Sequence, residues 1–244
     1  MKLMVSGATT TIEQFAEDDD LWPWLGAMVT PNTGNSIERI LAWRLVYCAD
    51  NAAYNVRRFS ADAYLSLLKK LARCPVRPVF VTVPDQVGNH EATAYLVERW
   101  LKTLARERLL DLPLAFVLQD GVTPEEIPWG QIEALFIGSS DDFKEDVLLT
   151  CDILPEAKAR GMFLHMGRVN SRSRLRLALR SGCDSVNGSS LSMFPRTWIP
   201  KFVRWIKELQ QVVRDDDVLL CALKWQLLTA AQRCDRDGSF LSTI

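Results

Sequence analysis

Six short stretches of this chain carry residues that could do chemistry, and each follows an apolar run. They are Asp50-Asn51, Asp85-Gln86, Gln119-Asp120, Gly138-Ser139, His165-Met166-Gly167-Arg168, and Asp184 with Asn187. One such ending means little, because Asp and Asn favour turns and helix caps. Six of them on one rim would build a polar pocket over an apolar floor. Carboxylates in such a pocket can move protons or stabilise a developing cation. Amide and carboxylate edges can pair with a planar heterocycle through several directional hydrogen bonds. Glycine turns let backbone N–H and C=O groups approach such a ring closely.

A common rim requires strands that all point the same way. Residues 162–190 set the pattern: a buried strand (Met162–Met166), a Gly167-Arg168 turn, a basic helix (about Ser171–Ser181), and a second strand (about Cys183–Val186). That length suits a right-handed βαβ crossover. The two strand ends, His165–Arg168 and Asp184–Ser190, are then expected side by side on the carboxyl edge. Further strands are predicted at Met1–Gly7, Leu45–Ala49, Val76–Val83, Leu114–Leu118 and Ala134–Ile137. The Val76–Val83 run lacks alternation, which suggests burial on both faces. Leu21–Leu25, LWPWL, reads as a packed loop. Helices are predicted over Thr9–Glu17, Asn35–Ala42, Ala61–Ala72 (capped by Ser60), His90–Arg108, Phe143–Arg160 (interrupted near Pro155), Thr197–Val212 and Asp217–Arg233.

This alternation predicts a single-domain α/β fold, a (β/α)8 TIM-type barrel with extra C-terminal helices. Residues 1–212 would form the barrel, and 213–244 a C-terminal helix and tail packed on it. The chain has 244 residues, and such a barrel takes about 250. A doubly wound open sheet is the alternative. No G-x-G-x-x-G or P-loop follows the first strand, which weakens its nucleotide-cofactor version.

Composition narrows the function classes. Apolar residues make up 48% of the chain, ample for a large core, and the net charge is -1. That excludes a generally basic nucleic-acid binder, but not a local patch. The six cysteines are scattered without a C-x-x-C pair, so neither a zinc knuckle nor a redox motif is expected. Several fall in apolar runs, which suggests inert core thiols in a reducing, cytoplasmic setting. The N-terminal MKLMVSGATTT has too short an apolar stretch for a signal peptide, and no run of about 18 apolar residues suggests a membrane span.

The ordered set Asp-Asn-x-Ala-Tyr (50–54), Val-Pro-Asp (83–85), Leu-Gln-Asp-Gly (118–121), Phe-Ile-Gly (136–138), His-Met-Gly-Arg (165–168) and Gly-Cys-Asp-Ser-Val-Asn (182–187) resembles the tRNA-guanine transglycosylase superfamily. It is most similar to the compact phage and bacterial branch that inserts 7-deazaguanines into DNA. The resemblance spans roughly residues 1–210. It implies that Asp50 does acid/base work and that Tyr54 stacks near the base. It implies that Asp85 and Gln119 read the hydrogen-bonding edge of the heterocycle. Gly138 and Ser139 would contact the base through their backbone, and Met166 and Gly167 would floor its pocket. Asn187 falls where the family has its nucleophilic aspartate, and Asp184 is the first aspartate of that pattern. The implied activity replaces guanine in DNA with a 7-deazaguanine derivative (preQ0-like) through a glycosyl-enzyme intermediate. Implied partners are DNA, alternatively RNA, and a free guanine or 7-deazaguanine base. The implied setting is the cytoplasm of a bacterium or a phage-infected host. A homodimer is left open, and no cofactor and no metal are expected.

Two departures stand out. The C-x-C-x-x-C zinc cluster of the tRNA enzymes is absent. Asn187 is an amide, a poor nucleophile that cannot readily form a glycosyl ester. Either an aspartate has been replaced here, or Asn187 is native. In the native case Asp85 or Asp50 acts instead, or the protein only binds. An unrelated barrel hydrolase or lyase using Asp85 and Asp184 is a third reading.

Residues 156–207 are strongly basic, with only Glu156 and Asp184 as acids. Arg172, Arg176 and Arg180 are spaced to share one helix face. Together with Arg168 and Arg196 they form the expected nucleic-acid contact. His90 reads as a capping or surface residue, and His165 as a structural hydrogen-bonding group. Trp198 and Trp205 read as packing residues.

Overall fold

The computed structural model describes residues 1–31, 34–53, 59–146 and 149–211, leaving aside the side chains of 150 and 151. Among these residues, eight parallel strands close into one barrel in chain order, and the last pairs with the first. The strands are β1 (Lys2–Ser6), β2 (Leu25–Val29), β3 (Val46–Ala49), β4 (Val81–Thr82), β5 (Leu114–Leu118), β6 (Ala134–Ile137), β7 (Phe163–Met166) and β8 (Ser185–Val186). The helices are α1 (Thr9–Glu13), α2 (Ile37–Ala42), α3 (Ala61–Leu71), α4 (His90–Arg106), α5 (Leu154–Ala159), α6 (Arg172–Arg180), α7 (Ser189–Met193) and α8 (195–211). The chain is a (β/α)8 TIM-type barrel. Tyr54, the Asp217–Arg233 helix and the 213–244 segment lie outside the described residues.

Local chemistry explains where elements begin and stop. Ser60, Asn89 and Ser171 cap α3, α4 and α6 by accepting the backbone N–H of Ala63, Ala92 and Arg174. Gly161 and Gly182 take left-handed φ values of 70° and 68°, the helix-stopping conformation glycine adopts cheaply. They turn the chain from α5 into β7 and from α6 into β8.

Side chains alternate across each strand. In β7, Leu164 and Met166 join the core between strands and helices. Phe163 and His165 alternate with them and face the barrel interior. There Phe80 packs against Phe136 and Phe163, with ring centroids 6.2 and 5.8 Å apart. His165 lies 4.6 Å from the Phe136 ring. Met4, Met28 and Cys48 fill the remaining interior. The barrel is therefore solid beneath its carboxyl rim.

Several expectations need correction. LWPWL was expected as a loop; its last residue instead opens β2, an entirely buried strand. The Val76–Val83 strand shrinks to Val81–Thr82. The helix expected over Phe143–Arg160 is a 3-10 turn, a π turn and α5, which has Pro155 in its first turn. Proline fits there because no N–H partner is needed. Asp184 precedes β8, so it lies at the amino end of the barrel. It pairs with Lys158 at 2.9 Å and accepts the Leu164 N–H at 2.8 Å. His90 is buried at the start of α4, while Asn89 is the cap. Among the described residues no helix is long and apolar enough to cross a membrane.

Candidate active site

A cavity of about 410 Å³ opens at the carboxyl rim. That lies within the range of small-molecule pockets. Of the sites expected from sequence, Asp50, Asp85, Gln119, Gly138, Ser139, Gly167, Arg168 and Asn187 all line it. They come from the ends of β3, β4, β5, β6, β7 and β8.

Asp85 is the best-held group. Asn51 Nδ2 donates to its Oδ1 at 2.9 Å, and Gln119 Nε2 donates to its Oδ2 at 2.8 Å. Gln119 Oε1 in turn accepts the Gly88 N–H at 2.9 Å. Gln119 is thus buried and committed at both ends, orienting Asp85 as well as lining the wall. Asn51 is buried too, and its N–H bonds Thr82 Oγ1 at 2.9 Å. Burial pushes Asp85 up to about 6; the Asn51 hydrogen bond opposes the rise and the Asp50 charge adds to it. Burial also raises Asp50, against hydrogen bonds from the Ala52 and Asn51 backbones. Two carboxylates with raised pKa values in one cleft suit proton transfer.

Asn187 sits across from them. Its Oδ1 lies 3.1 Å from His165 Nε2, and His165 Nδ1 lies 2.7 Å from Ser185 Oγ. Oδ1 can only accept, so Nε2 carries the proton and the Ser185 hydroxyl donates to Nδ1. Burial lowers His165 to about 3, so the ring is neutral. At its other end, Asn187 Nδ2 donates to Met28 Sδ at 3.3 Å.

The rim holds unusual backbone. Ala52, Ser139 and Arg168 adopt left-handed φ values of 60°, 58° and 59° just after β3, β6 and β7. Non-glycine residues there cost of order 1 kcal/mol each, and such strain gathers at functional sites. Asp120 holds the Ser139 turn by accepting the Ser139 hydroxyl and, at 2.7 Å, the Ser140 hydroxyl. Lys144, fully buried, donates to the Gly167 carbonyl at 3.1 Å and so braces the Arg168 turn. Burial lowers its pKa to about 8.

Met166 does not line the cavity. The strand period sends its side chain to the outer core, and Gly167 and Phe136 form the floor instead. A Cβ on Gly167 would sit 2.6 Å from the Phe136 ring. Arg172, Arg176, Arg180 and Arg196 also lie outside the cavity. Arg172 pairs with Glu208 at 3.0 Å, and Arg196 Nε donates to Gln14 at 3.0 Å. The nine-residue α6 carries Arg180 about 12 Å from Arg172, toward the amino end of the barrel. The basic stretch is also partly neutralised by acids distant in sequence, including Asp141 and Glu145 on Arg174. Among the described residues, no group of three or more His, Cys, Asp or Glu is placed to hold a metal ion.

Sequence reasoning named Asn51 and Asp120 only as strand-end residues without a role, and it missed Thr82, Lys144 and Asn170. Asn51 had a visible signal, lying beside Asp50. Lys144 had none, because its place under Gly167 arises only from the fold.

A scan against models of known protein families and a search of curated proteins return no match. Among the solved structures similar in fold are these two. One is a mandelate oxidase mutant with a monooxide FMN adduct, at 14% identity and TM-score 0.52, covering 86% of this chain and 74% of that one. The other is a flavocytochrome b2 mutant with sulfite bound, at 15% identity and TM-score 0.52, covering 88% of this chain and 65% of that one. At these identities the likeness establishes the barrel and nothing of its chemistry.

Proposed function

We propose that the cavity binds a guanine-type base and belongs to a base-exchanging pentosyltransferase acting on a guanine nucleotide of DNA. The carrying observation is that Asp50, Asp85 and Asn187, from three separate strand ends, share one cavity. In this reading Asp85 accepts from the N–H edge of the heterocycle, with Gly138 and Ser139 alongside through their backbone. Asp50 serves as the acid. The N-glycosidic bond breaks, its electron pair leaves with the base, and the base takes the Asp50 proton. Position 187 faces the cation-like anomeric carbon. An aspartate there would bond to that carbon, as in retaining glycosidases. The incoming 7-deazaguanine would then displace it: its ring N–H proton passes to the Asp50 carboxylate, the nitrogen bonds the anomeric carbon, and the ester bond breaks with its electron pair returning to the carboxylate at position 187. A guanine within a duplex must be flipped out first.

Asn187 supplies the shape of that nucleophile without its charge. This chain is therefore read as binding base or DNA without turnover, and the Asn187→Asp form as the exchanging enzyme. The test is exchange of labelled guanine into a DNA duplex by both forms, with guanine and 7-deazaguanine binding followed by calorimetry. Exchange by Asn187→Asp alone supports the reading. Equal exchange by both moves the nucleophile to another residue, Asp85 first. A dedicated binding protein is the second reading. It is favoured by the way the Asn187 amide is bonded at both ends, since a carboxylate would set an oxygen against Met28 Sδ. Binding by both forms with exchange by neither establishes that reading instead.

A further inference from the structure

The cavity has two chemically different walls. Asp50 and Asp85 stand after β3 and β4, while Arg168, Asn170 and Ser189 stand after β7 and β8. In an eight-stranded barrel these positions are four strands apart, hence across from one another. Among the described residues, no carboxylate lines the second wall. The Lys144 ammonium lies behind it, on the Gly167 carbonyl.

This wall is built rather than incidental. A Cβ on Gly188 would sit 2.2 Å from Val169 O and 2.6 Å from Asn170 Oδ1, so only glycine lets the two loops close on each other. Asn170 Oδ1 accepts from Ser190 N at 3.1 Å, Ser190 Oγ at 3.0 Å and Ser189 Oγ at 3.4 Å. What Asn170 then offers a ligand is its donor NH2 end. Arg168 is exposed and keeps a left-handed backbone that Asn or Gly would adopt more cheaply. An arginine in that conformation points to a use for its guanidinium at this place.

We propose that this wall is an anion subsite that takes a phosphate on the sugar of the bound nucleotide. The proposal rests on the reading of the cavity as a base pocket. A guanidinium fork and an amide NH2 are two donors suited to phosphate oxygens. The base would face the acidic wall, and the sugar would bridge to the basic one past position 187.

The test is calorimetric titration of the full chain with guanine, 2′-deoxyguanosine, and the 5′- and 3′-monophosphates of that nucleoside. Inorganic phosphate serves as competitor. One monophosphate should bind about tenfold or more tighter than the nucleoside, and the gain should shrink as salt rises. Which isomer gains identifies the phosphate. Arg168→Asn removes the charge while suiting the left-handed backbone. It should abolish the gain and leave nucleoside affinity in place. No gain from either phosphate, or a gain that survives Arg168→Asn, overturns the subsite. Inorganic phosphate binding that weakens in Arg168→Asn, with no binding of guanine or deoxyguanosine, upholds the subsite and overturns the base-pocket reading.

Discussion

Asp85→Asn should change how stability depends on pH, and the size of the change follows from the cavity. Asp85 titrates near 3.8 when unfolded and is pushed up to about 6 in the folded chain. Below the lower value both states hold the proton, and there is no contribution. Between the two values the folded state binds the proton and the unfolded state does not. Stability therefore falls as pH rises through this window, and the loss is complete above the folded value. The full loss is about 3 kcal/mol, of which about 2 kcal/mol falls between pH 4.5 and pH 7.5. The assay is urea denaturation of wild type and Asp85→Asn at those two pH values. The variant leaves two donor amides, Asn51 and Gln119, facing an amide that accepts at only one end. That cost does not depend on pH, so it cancels when each protein is compared with itself. Titrating groups that do not feel the Asp85 charge also cancel; Asp50, which is coupled to it, cancels only in part. Wild type should lose about 2 kcal/mol more than the variant on going from the lower pH to the higher. Parallel pH profiles would refute the claim that the fold raises this carboxyl.

His165 should act in the opposite direction. Its folded pKa is lowered to about 3, so stability is lost as pH falls below the unfolded value of about 6.5. His165→Gln can still donate to Asn187 and accept from Ser185. It should reduce the loss on acidification from pH 7.5 to 4.5 by about 2 kcal/mol or more in denaturant titrations. Gly188→Ala should be strongly destabilising, because its Cβ would overlap the Val169 carbonyl. About 3 kcal/mol is expected for such overpacking, lowering Tm by roughly 6 to 10 °C in a scanning melt. A Tm change within about 1 °C would mean that the two loops do not lock there.

The strand ends were legible because they combine two local signals, an apolar run and a polar turn. That pairing brought out Asp50, Asp85, Gln119, Gly138 and Asn187 without any knowledge of the fold. β2 has the second signal, TPNTGN (30–35), but its apolar run merges with the proline-bearing LWPWL. It also contains Gly26, whose missing side chain makes sense only beside Met4 and Val46 on the neighbouring strands. Asp184 was misassigned because β8 pairs over only two residues, too few for the apolar run to mark which side of the strand an acid lies on. Met166 was misassigned for a different reason. Alternation along β7 was readable, but its phase was not, and the phase decides which residues see the cavity. The arginine face of α6 was correct as a spacing. Its partners, Glu208 on Arg172 and Asp141 on Arg174, come from distant segments that no local window contains.

The aromatic fill beneath the cavity, Phe80 with Phe136, Phe163 and His165, has a kinetic consequence. A plugged barrel has no back door. Under the proposed activity, the departing guanine and the arriving 7-deazaguanine must use the same mouth and the same seat beside Asp85. The first has to leave before the second can enter, while the sugar waits on the protein. Initial rates of the Asn187→Asp form should then give parallel double-reciprocal lines when DNA and free base are varied. High concentrations of the incoming base should compete with DNA for the empty seat.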